Sequence, residues 1–183
     1  MISSTAEGVA KSPLGEILNN PALEAVLRAA RSAPKLVQRG RAAARSLIGP
    51  ILRAASYSDM RVSPSIVAFS EKMMLDTPIP TMVEFLHALQ VHDETAALST
   101  LAKIPTLIVC GDHDLVTPAE YSRKMAEVLP ESELVIVAKA GHLVLLERPA
   151  SVNDGLVRLV KHATPGRLTA LGQRWRDRAL RRD

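Results

Sequence analysis

The chain has 183 residues, an apolar fraction of 47% and only 3% aromatics, enough for a domain whose core is built from Leu, Val, Ile, Ala and Met. Its single cysteine, Cys110, excludes an internal disulfide framework and, lying in an apolar run, suits a buried small side chain in a reducing compartment. The net charge of +4 comes wholly from the last twenty residues, six Arg against two Asp, and a charge-balanced body with a basic tail does not mark a nucleic-acid binder. No charged segment precedes an apolar stretch at the start, and no run approaches the ~20 apolar residues of a spanning helix, so a cytoplasmic location is expected.

Residues 1–8 read as the tail of a strand entering a loop. Asn20-Pro21 then supplies an N-cap and a first-turn proline for a helix with Leu23, Val26, Leu27 and Ala30 on one face, ended by Pro34. From Lys35 a second amphipathic helix carries Leu36, Gly40, Ala43, Ala44 and Leu47 on one face and stops at Gly49-Pro50. Between Glu24 and Asp59 there is no acid, while Arg28, Arg31, Lys35, Arg39, Arg41, Arg45 and Arg53 are basic. Such a surface suits anionic lipid or an acidic substrate. The charges also fall opposite the apolar stripe, where any surface helix carries them, and a solvated face is the simpler reading.

Ser63-Pro64 is expected to cap a helix running through Ile66, Val67, Phe69 and Met73 to about Leu75, broken by Asp76-Thr77-Pro78-Ile79-Pro80. Thr81-x-x-Glu84 has the spacing of a capping box opening a fourth helix, with Met82, Phe85, Leu86 and Leu89 on one face. Residues 9–97 thus read as short helices cut by prolines. Their Met and Phe side chains are expected in the core, although a helical layer over a pocket would also set them against an apolar ligand.

From Leu98 to Pro105 the pattern changes to apolar β-branched runs alternating with helices. A strand over 106–110 ends in Gly111-Asp112-His113-Asp114, and a helix from Pro118 to Leu129 follows. A second strand over 134–138 ends in Gly141-His142, and a last helix spans 149–162. Continuous apolar strands joined by helices imply a parallel sheet covered on both faces, the α/β class, in which ligands sit at the carboxyl ends of the strands. Asp114 and His142 both lie there. An imidazole that takes a proton must be held in one tautomer and stabilised as imidazolium, which a neighbouring buried carboxylate does. His142 is the candidate base and Asp114 the candidate acid. Asp112, nearer the strand, is expected to satisfy turn amides instead. Adjacent side chains do not converge on one ion, so Asp112-His113-Asp114 is not read as a metal site, and no cofactor is expected. His87, His92 and His162 read as structural or surface.

The stretch Ile104 to Pro118, with Ala140-Gly141-His142 and Glu147-Arg148-Pro149, resembles the C-terminal portion of the α/β-hydrolase family, its lipase, esterase and related members. The resemblance implies an incomplete α/β-hydrolase fold: residues 1–8 end a core strand, residues 9–97 form the helical cap or lid, and residues 98–163 belong to the core. It also implies that Asp114 is the acid of a Ser-His-Asp triad and His142 its general base, with a small apolar ester as substrate. Some members place the acid where Glu7 stands. The family's nucleophile lies on a Gly-x-Ser-x-Gly elbow before the cap, and no such motif occurs here. Ser63 and Ser65 lack the flanking glycines of that turn. The resemblance therefore leads to the expectation of a truncated, inactive hydrolase, prone to instability because its two strands lack the sheet they would join. The competing reading is a non-catalytic or vestigial interaction module using the helical cap and basic tail. In that tail, 164–183, Leu168, Leu171 and Trp175 fall at helical spacing with Arg174, Arg178 and Arg181 along another side. The tail reads as a frayed extension or a helix for a membrane surface or partner.

Overall fold

Every residue of the strand Leu107–Gly111 (β1) is buried, as its unbroken apolar sequence requires of a strand covered on both sides. The computed structural model describes residues 1–9, 12–21, 53–58 and 62–164, with Ala25, Arg28, Ser32 and Ala33 besides. In chain order the elements are the helix Pro13–Leu18 (α1), Pro64–Asp76 (α2), Ile79–Val91 (α3), a 3-10 turn over Ala96–Leu101, β1, Ala119–Val128 (α4), Glu133–Val137 (β2), Val144–Glu147 (α5) and Pro149–Ala163 (α6). The helix expected from Lys35, most of the basic run and the tail's Leu168, Leu171 and Trp175 lie outside the described residues.

β1 and β2 pair in parallel with Val109 opposite Val135. The crossover between them is α4, as the α/β reading requires of parallel neighbours. The chain start lies along the other edge of β1: Ser3 N–H donates to Val109 O at 2.8 Å, Val109 N–H donates to Met1 O at 2.9 Å, and Ile2 bridges Val109 in parallel. Side-chain alternation along β1 divides the core. Leu107 and Val109 pack with Val137, Ala140, Val144 and Val152 under α5 and α6. Ile108 packs on the opposite face with Ala6, Leu98, Met125 and Leu129 under α4. Met125 makes this contact from α4, and Tyr121, one turn before it, is buried as well. No described helix is long and apolar enough to cross a membrane.

Three local expectations are corrected. Helix α3 begins at Ile79, with Pro78 in the cap position and no side-chain cap bond, so Thr81-x-x-Glu84 is not a capping box. Pro80 explains the earlier start, because a proline lacks the N–H that a first-turn residue would leave unsatisfied. Phe69 (57% exposed), Met73 (58%) and Phe85 (62%) are not in the core. The buried face of α2 is instead Val67 and Ser70, so the stripe expected through Phe69 and Met73 looks outward. Ser63 does precede α2, but its hydroxyl pairs with Ser65 Oγ rather than a helix amide.

Candidate active site

The turn after β1 can be so tight only because Gly111 has no side chain: a Cβ there would lie 2.1 Å from Ala140 O and 2.5 Å from Gly141 O. This close approach brings the ends of the two strands together. Asp112, outside the pair they form, accepts from Ala140 N–H at 3.3 Å and from His113 Nδ1 at 2.6 Å, and so ties the turn to the loop after β2.

Asp114 is 4% exposed and its carboxylate meets four nitrogen and oxygen donors, with the Cys110 thiol 3.9 Å from Oδ2. Oδ1 accepts the amides of Val116 at 2.9 Å and Thr117 at 2.8 Å, an Asx-type turn that leads into α4. Oδ2 accepts the Thr117 hydroxyl at 3.0 Å and lies 3.0 Å from His142 Nδ1. An ionised carboxylate only accepts, so Nδ1 carries a proton, and in the neutral ring the lone pair is on Nε2. Burial acts to raise the carboxyl pKa, but the hydrogen bond and charge of His142 and the two Thr117 donors outweigh it. The group is held below the ordinary value of 3.8. Among the described residues no hydrogen bond reaches His142 Nε2, and the ring is one wall of a cavity of about 380 Å³. Val9, Phe85, Ala88, Leu89 and Val116 make that cavity largely apolar, with Ser3, Ser4 and Thr5 on its polar side.

The sequence-predicted pair Asp114 and His142 is therefore brought within hydrogen-bond distance. Glu7 is not part of it: its carboxylate pairs with Lys124 at 2.6 Å. Cys110 lies wholly buried, and burial first of all pushes its thiol up to about 11, so it is no thiolate nucleophile at neutral pH. His92, read from sequence as structural or surface, lines the cavity and sits 3.3 Å from Thr5 O through Nε2. Among the described residues no group of three or more His, Cys, Asp and Glu could hold a metal.

Two supporting residues escape a sequence reading. Thr117 gives both its amide and its hydroxyl to Asp114. The one legible signal was its place three residues after an acid and just before a helix-opening proline. Glu147 is buried and accepts Gly141 N–H at 2.6 Å, which fixes the residue before His142. Nothing in its spacing announces that bond.

Residues 1–149 match the family described as alpha/beta hydrolase fold. The AB hydrolase superfamily protein YisY of Bacillus subtilis is 27% identical over 98 residues, which cover 54% of this chain and 36% of that protein. A thermophilic esterase from Thermogutta terrifontis superposes with a TM-score of 0.63 at 21% identity, over 88% of this chain and 54% of that one. The enol-lactonase from Burkholderia xenovorans LB400 superposes with a TM-score of 0.58 at 18% identity, over 68% and 50%. The chain thus spans little more than a third of the first relative and about half of the two solved chains.

Proposed function

Because the chain belongs to the alpha/beta hydrolase fold family, we propose that Asp114 and His142 are the acid and the general base of a Ser-His-Asp relay that hydrolyses small, apolar carboxylic esters. The observation that carries this reading is the 3.0 Å contact of His142 Nδ1 with a buried Asp114 carboxylate whose pKa is depressed. In this mechanism Nε2 removes the proton of a serine hydroxyl as its oxygen attacks the ester carbonyl, and Asp114 stabilises the imidazolium that forms. The imidazolium then protonates the departing alcohol oxygen. A water deprotonated by the same nitrogen cleaves the acyl-enzyme and restores the serine. The apolar cavity beside His142 suits the acyl or alcohol group of such a substrate. Residues 9–97 take the part of the cap over it, and residues 1–8 that of the end of a core strand.

No Gly-x-Ser-x-Gly occurs in the 183 residues, so this relay takes its serine from outside them, and by themselves they are expected to give no ester turnover. The test is to join them behind the elbow-bearing N-terminal part of an alpha/beta hydrolase and assay short-chain p-nitrophenyl esters. Turnover that falls by about ten-thousand-fold in His142→Ala supports the assignment. A fusion equally active with and without His142 overturns it. One observation favours a second reading, a non-catalytic interaction module: Phe69 and Met73 expose apolar surface on α2. Self-association or partner capture that is lost in Phe69→Ser, with no turnover in the fusion, would favour it.

A further inference from the structure

We propose that Glu147 is a positioning residue for His142 and that, through Tyr57, it couples helix α2 to the orientation of that imidazole. The inference rests on His142 as the base of the proposed relay.

Glu147 is 8% exposed and both carboxylate oxygens are engaged. Oε1 accepts Gly141 N–H at 2.6 Å, and Oε2 accepts Ser58 N–H at 3.0 Å. On the other side of His142, Leu143 N–H donates to Ser56 O at 3.0 Å. The residues on both flanks of the histidine are thus held, one directly and one through Glu147, to the tripeptide Ser56-Tyr57-Ser58. The two backbones are in contact with no side chain between them. A Cβ on Gly141 would stand 2.8 Å from Ser58 N and 2.9 Å from Ser56 O. The loop therefore cannot shift without moving the tripeptide.

The middle residue of the tripeptide reaches the other way. Tyr57 is buried and its hydroxyl donates to Ser70 Oγ at 2.8 Å, and Ser70 donates in turn to Val67 O at 2.9 Å on α2. A short segment thus presents backbone groups to the histidine loop and a rigid phenol to the helical layer. A displacement of α2 is passed to the amides flanking His142 through hydrogen bonds that are buried between Tyr57 and Ser70 and between Gly141 and Glu147, and part-buried between Ser58 and Glu147. The buried ones are costly to leave unmade. Glu147 does not line the cavity beside His142 and touches none of the groups that would react. Its part is to hold the loop, and that of Tyr57 is to tell the loop where α2 lies.

The test follows the low-field Nδ1–H resonance of His142 and the amide exchange of Gly141 by NMR in the full 183-residue chain. Glu147→Gln keeps one acceptor but turns an NH2 towards the other amide, and Tyr57→Phe removes the hydroxyl bond to Ser70. Both variants are expected to move the His142 resonance, and Glu147→Gln to speed Gly141 exchange about tenfold or more. Met125→Ala, a core truncation on the far face of β1, is expected to leave the resonance in place at a comparable loss of thermal stability. A resonance unmoved in either Glu147→Gln or Tyr57→Phe overturns the coupling. Should these variants not fold, exchange in the unaltered chain decides: slow Gly141 and Ser58 amides support the clamp, and amides as fast as exposed ones overturn it. None of these readings needs turnover, so failure of the ester assay would strike the functional reading and not this link.

Discussion

At the scale of single residues, Asp114 concentrates more of the local chemistry than any other side chain in the candidate site. Its carboxylate is buried, yet its pKa lies below the ordinary 3.8, because His142 and the Thr117 donors outweigh desolvation. The folded pKa is thus lower than the unfolded one. The stabilisation it brings is fully present above about pH 4 and is lost as pH falls through the depressed folded value. Thermal melts from pH 7 down to about pH 2 should show a drop in Tm below about pH 4. In Asp114→Asn this acid limb should be flatter, with a lower Tm at neutral pH. An acid limb identical in the two proteins would remove Asp114 as its cause. Asp114 and His142 were legible in the sequence because each lies in the short turn that ends an apolar run. Thr117 and Glu147 were not, because their partners come from loop geometry and, for Glu147, from Ser58 as well.

At the scale of elements, glycine positions separate backbone packing from side-chain packing. Gly111→Ala would drive its Cβ onto the Ala140 and Gly141 backbones, which cannot yield, and is expected to cost more than about 3 kcal/mol or to prevent folding. Gly155, on α6, faces side chains rather than backbone, Leu107 at 3.1 Å and Arg158 Nη2 at 3.7 Å, and a shift of a few tenths of an ångström at the Leu107 tip makes room. There the helix-propensity gain of Ala, up to about 1 kcal/mol, offsets the crowding, so Gly155→Ala should lie within about 1 kcal/mol of the parent. Urea melts that rank the two the other way would refute this. Thr81→Ala should change stability by less than about 0.5 kcal/mol, since Thr81 lies inside α3 rather than at its cap. A working capping box would lose about 1 kcal/mol. The helix and strand types were readable from periodicity and prolines. The start of α3 was not, because a first-turn proline, Pro80, and a Thr-x-x-Glu pattern beginning at the next residue compete for the same helix end.

At the scale of the whole molecule, β1 is the centre and the α2 surface the periphery. Ile108→Ala, at a site with no exposure, is expected to cost about 2–5 kcal/mol. Phe69→Ser removes a larger side chain but from a 57% exposed position, and should cost less than about 0.5 kcal/mol. Comparable losses for the two in chemical denaturation would mean that Phe69 is covered in solution. The sequence offered no way to tell these positions apart, since both are apolar residues in apolar patterns. Burial on α2 was decided by which face meets the 53–58 segment, where Tyr57 and Ser70 join.

The sequence by itself determined the alternation of strand and helix over 98–163, the placing of an acid and a histidine after successive strands, and the lack of a nucleophile elbow within the 183 residues. These are properties of neighbouring residues, carried by side-chain polarity, proline and glycine. The tertiary structure alone decided that Asp114 and His142 meet at 3.0 Å, that His92 and Phe85 share a cavity with His142, and that Glu147 ties the histidine loop to residue 58. Each of those contacts joins residues that are distant in the chain. Their distances depend on how β1 and β2 pair and on Gly111 letting two backbones touch, and no local pattern encodes that closure.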